Sequence, residues 1–155
     1  MKFRGAHNLN LDTKGRIGIP TRFRDYLVSH HAGQLIITID SDEPCLRLYP
    51  QSEWEVIEAK LESLPSFNKY SRRIKSLMMG YATEVEMDSN GRALIPPPLR
   101  EFAKLDKKTV LRGQGKGFEL WDEDTWLATC ETWMQEGTLK AENEDLPPDL
   151  LNLSL

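Results

Sequence analysis

Two short stretches carry the residue types most able to do chemistry, Asp12-Thr13-Lys14-Gly15-Arg16 and Asp88-Ser89-Asn90-Gly91-Arg92. Arginine presents a planar fork of donors that engages a phosphate, or the edge of a guanine, through two hydrogen bonds at once. The same side chain pairs with an aspartate across a tight turn, and at a surface that ion pair contributes about 0–1 kcal/mol. The surroundings separate the two readings. Arg16 has Lys14 and a basic flank, which favours contact with an external anion, whereas Arg92 has no other positive charge in its loop and is expected to pair with Asp88. Gly15 and Gly91 are read as turn residues, because a single glycine that permits positive φ needs no ligand.

Other chemistries find no support in the spacing. There is no glycine-rich phosphate loop, nucleophile elbow or His-Glu-x-x-His, and no two carboxylates are placed about one pocket, so the chain is not read as an enzyme. His7 and the adjacent His30 and His31 have no accompanying Cys/His pattern, and neither a metal nor a cofactor is expected. Cys45 and Cys130 stand far apart and outside any Cys-x-x-Cys, as reduced, part-buried thiols do. Lys2 and Arg4 are not followed by the apolar segment of a secretory signal, and the strongest apolar run, Leu35 to Ile39, is far too short to cross a bilayer. A cytoplasmic location with no membrane partner is the expectation.

A net charge of −4 argues at first against a polyanionic partner. Its distribution argues the other way. Residues 1–24 hold Lys2, Arg4, Lys14, Arg16, Arg22 and Arg24 against Asp12 alone, six positive charges and one negative, for a local net of +5. From Glu136 the balance reverses, with Glu142, Glu144, Asp145 and Asp149 against Lys140. A basic head and an acidic tail let one face bind an anionic surface while the whole stays acidic.

The two stretches belong to an internal repeat. Leu9 to Arg24 aligns with Val85 to Arg100 at a constant shift of 76, with Asp, Gly, Arg, Ile, Pro and the final Arg coinciding. The match resumes at a shift of 72, where Leu46-Arg47-Leu48-Tyr49 parallels Phe118-Glu119-Leu120-Trp121, leaving four residues of length difference between. Two copies exclude a solenoid and imply a pseudo-twofold pair.

Each copy must position its turn between two short strands: Leu9-Asn10-Leu11 before and Arg16–Ile19 after, then Val85-Glu86-Met87 and Arg92–Ile95. Pro20 and Pro96 end the returning strands, and short helices are expected at Thr21–Tyr26 and Pro98–Ala103. Strands follow at Leu35–Ile39 and Leu46–Tyr49, and again at Val110–Arg112 and Phe118–Trp121. Closing helices carry Trp54, Ile57, Leu61 and Leu64, with Ser52 as the expected cap, and Thr125–Gln135, capped by Asp122 or Asp124. A basic amphipathic helix is expected at Asn68–Met79. Trp54, Trp121, Trp126 and Trp133 are assigned to core or subunit interface. The organisation is therefore a first module at 1–66, a linking helix at 67–80, a second module at 81–136 and an acidic tail at 137–155 that is disordered or docks late.

With Phe3-Arg4-Gly5, the Asp12–Arg16 turn, Pro20-Thr21-Arg22, the Asp88–Arg92 turn and Phe118–Trp121 in place, the chain resembles the MraZ family. The halves of that family are similar to the swapped-hairpin modules of AbrB-type regulators. The resemblance implies an α+β fold of two β-rich, AbrB-like swapped-hairpin barrel modules with flanking helices. It implies a cytoplasmic, nucleoid-associated repressor of its own division and cell-wall gene cluster, a ring-shaped homo-oligomer bound to short direct repeats of double-stranded promoter DNA. Lys14 and Arg16 lead the implied DNA surface; Arg4, Arg22 and Arg24 join from local charge, and Arg92 as the counterpart of Arg16. The second copy departs from the first, with Ser89-Asn90 and Pro97-Pro98 in place of Thr13-Lys14 and Thr21-Arg22, and is less basic. The chief rival is an antitoxin-like protein-interaction module, since the same design serves toxin neutralisation.

Overall fold

Proline stops the second strand of each copy by withholding a donor, and its fixed φ starts the helix that follows. Pro20 and Pro96 take nearly the same extended conformation, at φ −53° and −57°, and each is the residue before a helix. The computed structural model describes residues 1–137 and 146–154. Its first half comprises β1 (Ala6–Asn10), β2 (Arg16–Gly18), α1 (Thr21–His31), β3 (Gln34–Ile39), β4 (Leu46–Pro50) and α2 (Gln51–Glu62). After α3 (Lys69–Gly80) the order repeats as β5 (Thr83–Glu86), β6 (Arg92–Leu94), α4 (Pro97–Phe102), β7 (Lys108–Gly113), β8 (Phe118–Asp122) and α5 (Glu123–Glu136). A single turn, α6 (Pro148–Leu151), ends the described chain, and residues 138–145 and 155 of the expected tail lie outside it.

The caps are local and legible. Asn68 accepts hydrogen bonds from the backbone N–H groups of Tyr70 and Ser71 to start α3, and Asp122 does so from Thr125 to start α5. Ser52 does not cap α2: the helix begins two residues earlier than that cap implies, after Pro50, so the hydroxyl falls within the first turn. Helix α1 runs on to His31 because Leu27, one turn beyond Phe23, is buried beside it.

The architecture is mixed α+β, with all strand pairs antiparallel. One sheet has the order β1-β7-β8-β4-β3-β5, and β2 pairs with β6 in a separate two-stranded ribbon. The order reads the same from either edge once the halves are exchanged. The edge strands cross over: β1 pairs with β7 of the second half, and β5 with β3 of the first. Equivalent pairs, Thr38 with Arg47 and Arg112 with Glu119, set β3 and β7 at a shift of 74. The four-residue difference is thus divided equally between two loops.

The core is shared by both halves. Phe3, Phe23 and Phe118 are buried with ring centroids 4.3–5.5 Å apart, in one cluster with buried aliphatic residues from seven strands. A smaller cluster of Ile36, Tyr49, Trp54 and Leu61 lies beneath α2, and Met78 and Met79 of α3 pack on it. Trp121 is buried, with Trp126 and Trp133 half-buried around it at 5.2 and 6.4 Å.

Candidate nucleic-acid interface

The Asp-x-x-Gly-Arg stretches form the same turn twice. Asp12 Oδ1 accepts from the N–H groups of Lys14 and Arg16 at 2.9 and 2.8 Å, and Asp88 Oδ1 from those of Asn90 and Arg92 at 2.8 and 2.9 Å. Gly15 and Gly91 hold φ of +86° and +72°, where a Cβ is strained. Each turn is also covered by an arginine from the other half. A Cβ on Gly15 would lie 2.5 Å from the Arg100 guanidinium, and one on Gly91 would lie 2.3 Å from Arg24 Cδ. Arg24 is half-buried and its Nε donates to the Ile19 carbonyl. The placement makes Arg24 a brace for the opposite turn, and Arg100 its equivalent. Sequence reasoning missed Arg100, although its coincidence with Arg24 in the repeat was the available signal.

Between the turns runs the β2–β6 ribbon, with Arg16 opposite Leu94, Ile17 opposite Ala93 and Gly18 opposite Arg92. Backbone bonds from Ile19 to Gly91 and from Ile95 to Gly15 extend it at both ends. Ile17 and Ala93 point into the core, so the alternation of strand side chains sends Arg16, Gly18, Arg92 and Leu94 outward. Lys14 and Asn90 are exposed at opposite tips.

The two arginines differ in the sense opposite to expectation. Arg16 Nε donates to Asp12 Oδ2 at 2.8 Å, and its Nη1 lies 3.8 Å from Asp88 Oδ2. Arg92 is exposed and forms no ion pair among the described residues; Asp88 bonds its backbone instead. Attachment through Nε orients the Arg16 side chain, and Nη1 adds a longer ion pair to Asp88 across the ribbon. Of the other candidates, Arg22 is exposed at the start of α1 with its guanidinium 4.9 Å over the Phe23 ring, and Arg4 is exposed two residues before β1, off the end of that strand opposite to the turn. The ribbon therefore brings together Lys14, Arg16 and Arg92, and not Arg4. On the strands leading into the turns, exposed Asn8 and Asn10 of the first half correspond to exposed Glu84 and Glu86 of the second.

Hydrogen bonds from the Arg16 backbone and side chain and the Lys14 N–H hold the Asp12 carboxyl down at about 2, against an ordinary 3.8. Asp88 is lowered in the same way, chiefly by the Arg92 N–H. A depressed carboxylate supports its turn fully above the ordinary value and loses that support as pH falls through the lowered one. The backbone amide resonances of Lys14 and Arg16 are therefore expected to titrate with a midpoint near 2; a midpoint near 3.8 would show Asp12 to be unengaged.

Asp40, Cys45 and Glu119 form a buried cluster of metal-ligand types within 4.8 Å. Its carboxylates are already committed. Asp40 accepts from Arg47 Nε at 2.6 Å and from the N–H groups of Asp42 and Glu43, while Glu119 accepts from Arg112 at 2.9 Å and Trp121 Nε1 at 3.1 Å. Burial, and then Glu119, push the Cys45 thiol above its ordinary range, away from the thiolate a metal requires. Among the described residues no helix is long and apolar enough to cross a membrane.

The model of the family described as "MraZ protein, putative antitoxin-like" matches residues 2–77 and again 78–146. A protein named transcriptional regulator MraZ from Pseudomonas aeruginosa strain LESB58 is 54% identical over 148 residues, covering 93% of this chain and 98% of the relative. Proteins of the same name from Halorhodospira halophila and Coxiella burnetii are each 50% identical over 153 residues, covering 99% of both chains. A family model matched once by each half, and relatives aligned nearly end to end, agree with the doubled turn: the chain belongs to the MraZ family.

Proposed function

We propose that this chain is a transcriptional regulator that binds double-stranded DNA through the outer face of the β2–β6 ribbon. The observation that carries the reading is the Arg16 side chain, fixed by Asp12 and flanked by exposed Lys14 and Arg92 on an antiparallel ribbon. A two-stranded ribbon fits the major groove, which is about 12 Å wide. Arg22 extends the positive face, Arg24 holds the second turn in place, and Arg4 adds charge just before β1. The interleaving of β1 with β7 and β5 with β3 supports two AbrB-like swapped-hairpin modules, joined by α3.

One subunit that neutralises about three to five phosphates binds modestly at cellular salt. Tethering subunits in a ring makes later contacts intramolecular, a gain on the order of 10²–10⁴ in avidity. Head-to-tail interfaces present the ribbon in one sense around the axis and so match direct repeats. The surface available for such contacts includes Tyr70, Ile74 and Leu77, exposed at helical spacing along α3, with exposed Phe67 before the helix and Tyr81 after it. The targets in this reading are direct repeats upstream of the chain's own gene, in its division and cell-wall cluster, with repression in the nucleoid. The antitoxin-like alternative usually adds a toxin-binding tail to a single module, which two copies do not match.

Anisotropy titration against the DNA upstream of the gene tests this directly. Affinity is expected to fall with salt on a logarithmic slope of about −3 to −4.5 per bound subunit. Absence of binding would overturn the reading; a monomer at micromolar concentration that binds with full affinity would remove the ring.

A further inference from the structure

Leu94 is 47% exposed on the outward face of the ribbon, directly across from Arg16. Its neighbours Ala93 and Ile95 are fully buried and anchor the strand, so Leu94 itself adds little to the core. At the equivalent place in the first half stands Gly18, opposite Arg92. The pseudo-twofold face thus matches arginine with arginine but sets a bulky apolar side chain at one end and none at the other. Its charged neighbours on this face are Arg16 and Arg92, with Lys14 at the tip, while Asp12 and Asp88 are engaged by their turns. That surround suits a nucleic acid better than an apolar protein surface. In the major groove the one apolar group on offer is the 5-methyl of thymine.

We propose that Leu94 packs against a thymine 5-methyl beside the site engaged by Arg16, and that this contact reads sequence. The inference rests on the DNA-binding reading above and adds a base-specific element to it. Because Gly18 has no side chain to match, the contact exists at one end of the ribbon only. The bound DNA is therefore read in a fixed direction, as direct repeats require and a palindrome does not.

Replacing thymine by deoxyuridine at one position of every repeat removes that methyl and nothing else. Scanned across the upstream site by anisotropy at constant salt, the wild type is expected to lose about fourfold in affinity per repeat at one position, the value of one apolar group of that size. Leu94→Ala is expected to bind the thymine site about as weakly as the wild type binds the deoxyuridine site, and to be indifferent to deoxyuridine there, while its melting temperature and subunit number stay unchanged. A wild type that binds DNA yet tolerates deoxyuridine everywhere would overturn the Leu94 contact and leave the DNA reading standing. Equal sensitivity of Leu94→Ala and wild type would assign the methyl to another residue and overturn it too, as would loss of subunit assembly in Leu94→Ala. A wild type that binds no upstream DNA would overturn both.

Discussion

Phe23→Ala lowers the stability of the whole chain by about 3–5 kcal/mol, the usual range for removing a fully buried aromatic ring. Phe23 is 0% exposed, and its ring stands 5.5 Å from that of Phe3 and 5.2 Å from that of Phe118. The cavity left behind opens on residues of both halves, and no single strand can move to fill it. The loss is accordingly expected in one cooperative transition. Urea unfolding followed by far-UV circular dichroism and by tryptophan fluorescence checks this, since three of the four tryptophans, Trp121, Trp126 and Trp133, belong to the second half. Coincident midpoints that shift together support an interleaved core; a fluorescence transition left in place while the dichroism shifts would show two independent bodies.

Arg16→Ala is expected to weaken DNA binding by about 5- to 150-fold per engaged subunit, the effect of one well-placed arginine contact. In an oligomer the loss recurs at every subunit that touches DNA. Folding should change little, because the Arg16–Asp12 pair is partly exposed and screened by solvent. Arg16→Lys keeps the charge but not the fork, and is expected to recover only part of the affinity. Unaltered binding by Arg16→Ala at matched salt and oligomeric state would move the interface away from the ribbon.

Much of this was legible in the residues. Proline, Asn-Gly and the Asx pattern act within four or five positions, so the turns, the helix starts and the order of elements could be read from local chemistry. Partners at a distance could not. Nothing in Ala6–Asn10 names Lys108–Gly113 as its neighbour, because an amphipathic strand satisfies many sheets equally well. The arginines illustrate the same limit. Local charge singled out Arg24 as a surface contact, yet it lies across Gly91; and Arg92, expected to pair with its aspartate, is free of ion pairs among the described residues while Arg16 is held. That Asp88 of the opposite half also comes alongside Arg16 is a property of the fold.

The pairing of β4 with β8 places Arg47 directly opposite Glu119, and the repeat makes these two the same position of the ancestral unit. Two separate identical chains meeting on that axis would set arginine against arginine or glutamate against glutamate, and like charges directly opposite each other destabilise a strand pair. Once both copies shared one polypeptide, a substitution on one side no longer reappeared on the other, and a centre bound to self-complementarity could become a pair of opposites. Arg47 now reaches both Asp40 and Glu119, and Arg112 completes the array. Each half therefore carries at this register the charge that the other half answers, and pairing either half with its own duplicate would set like charges opposite each other.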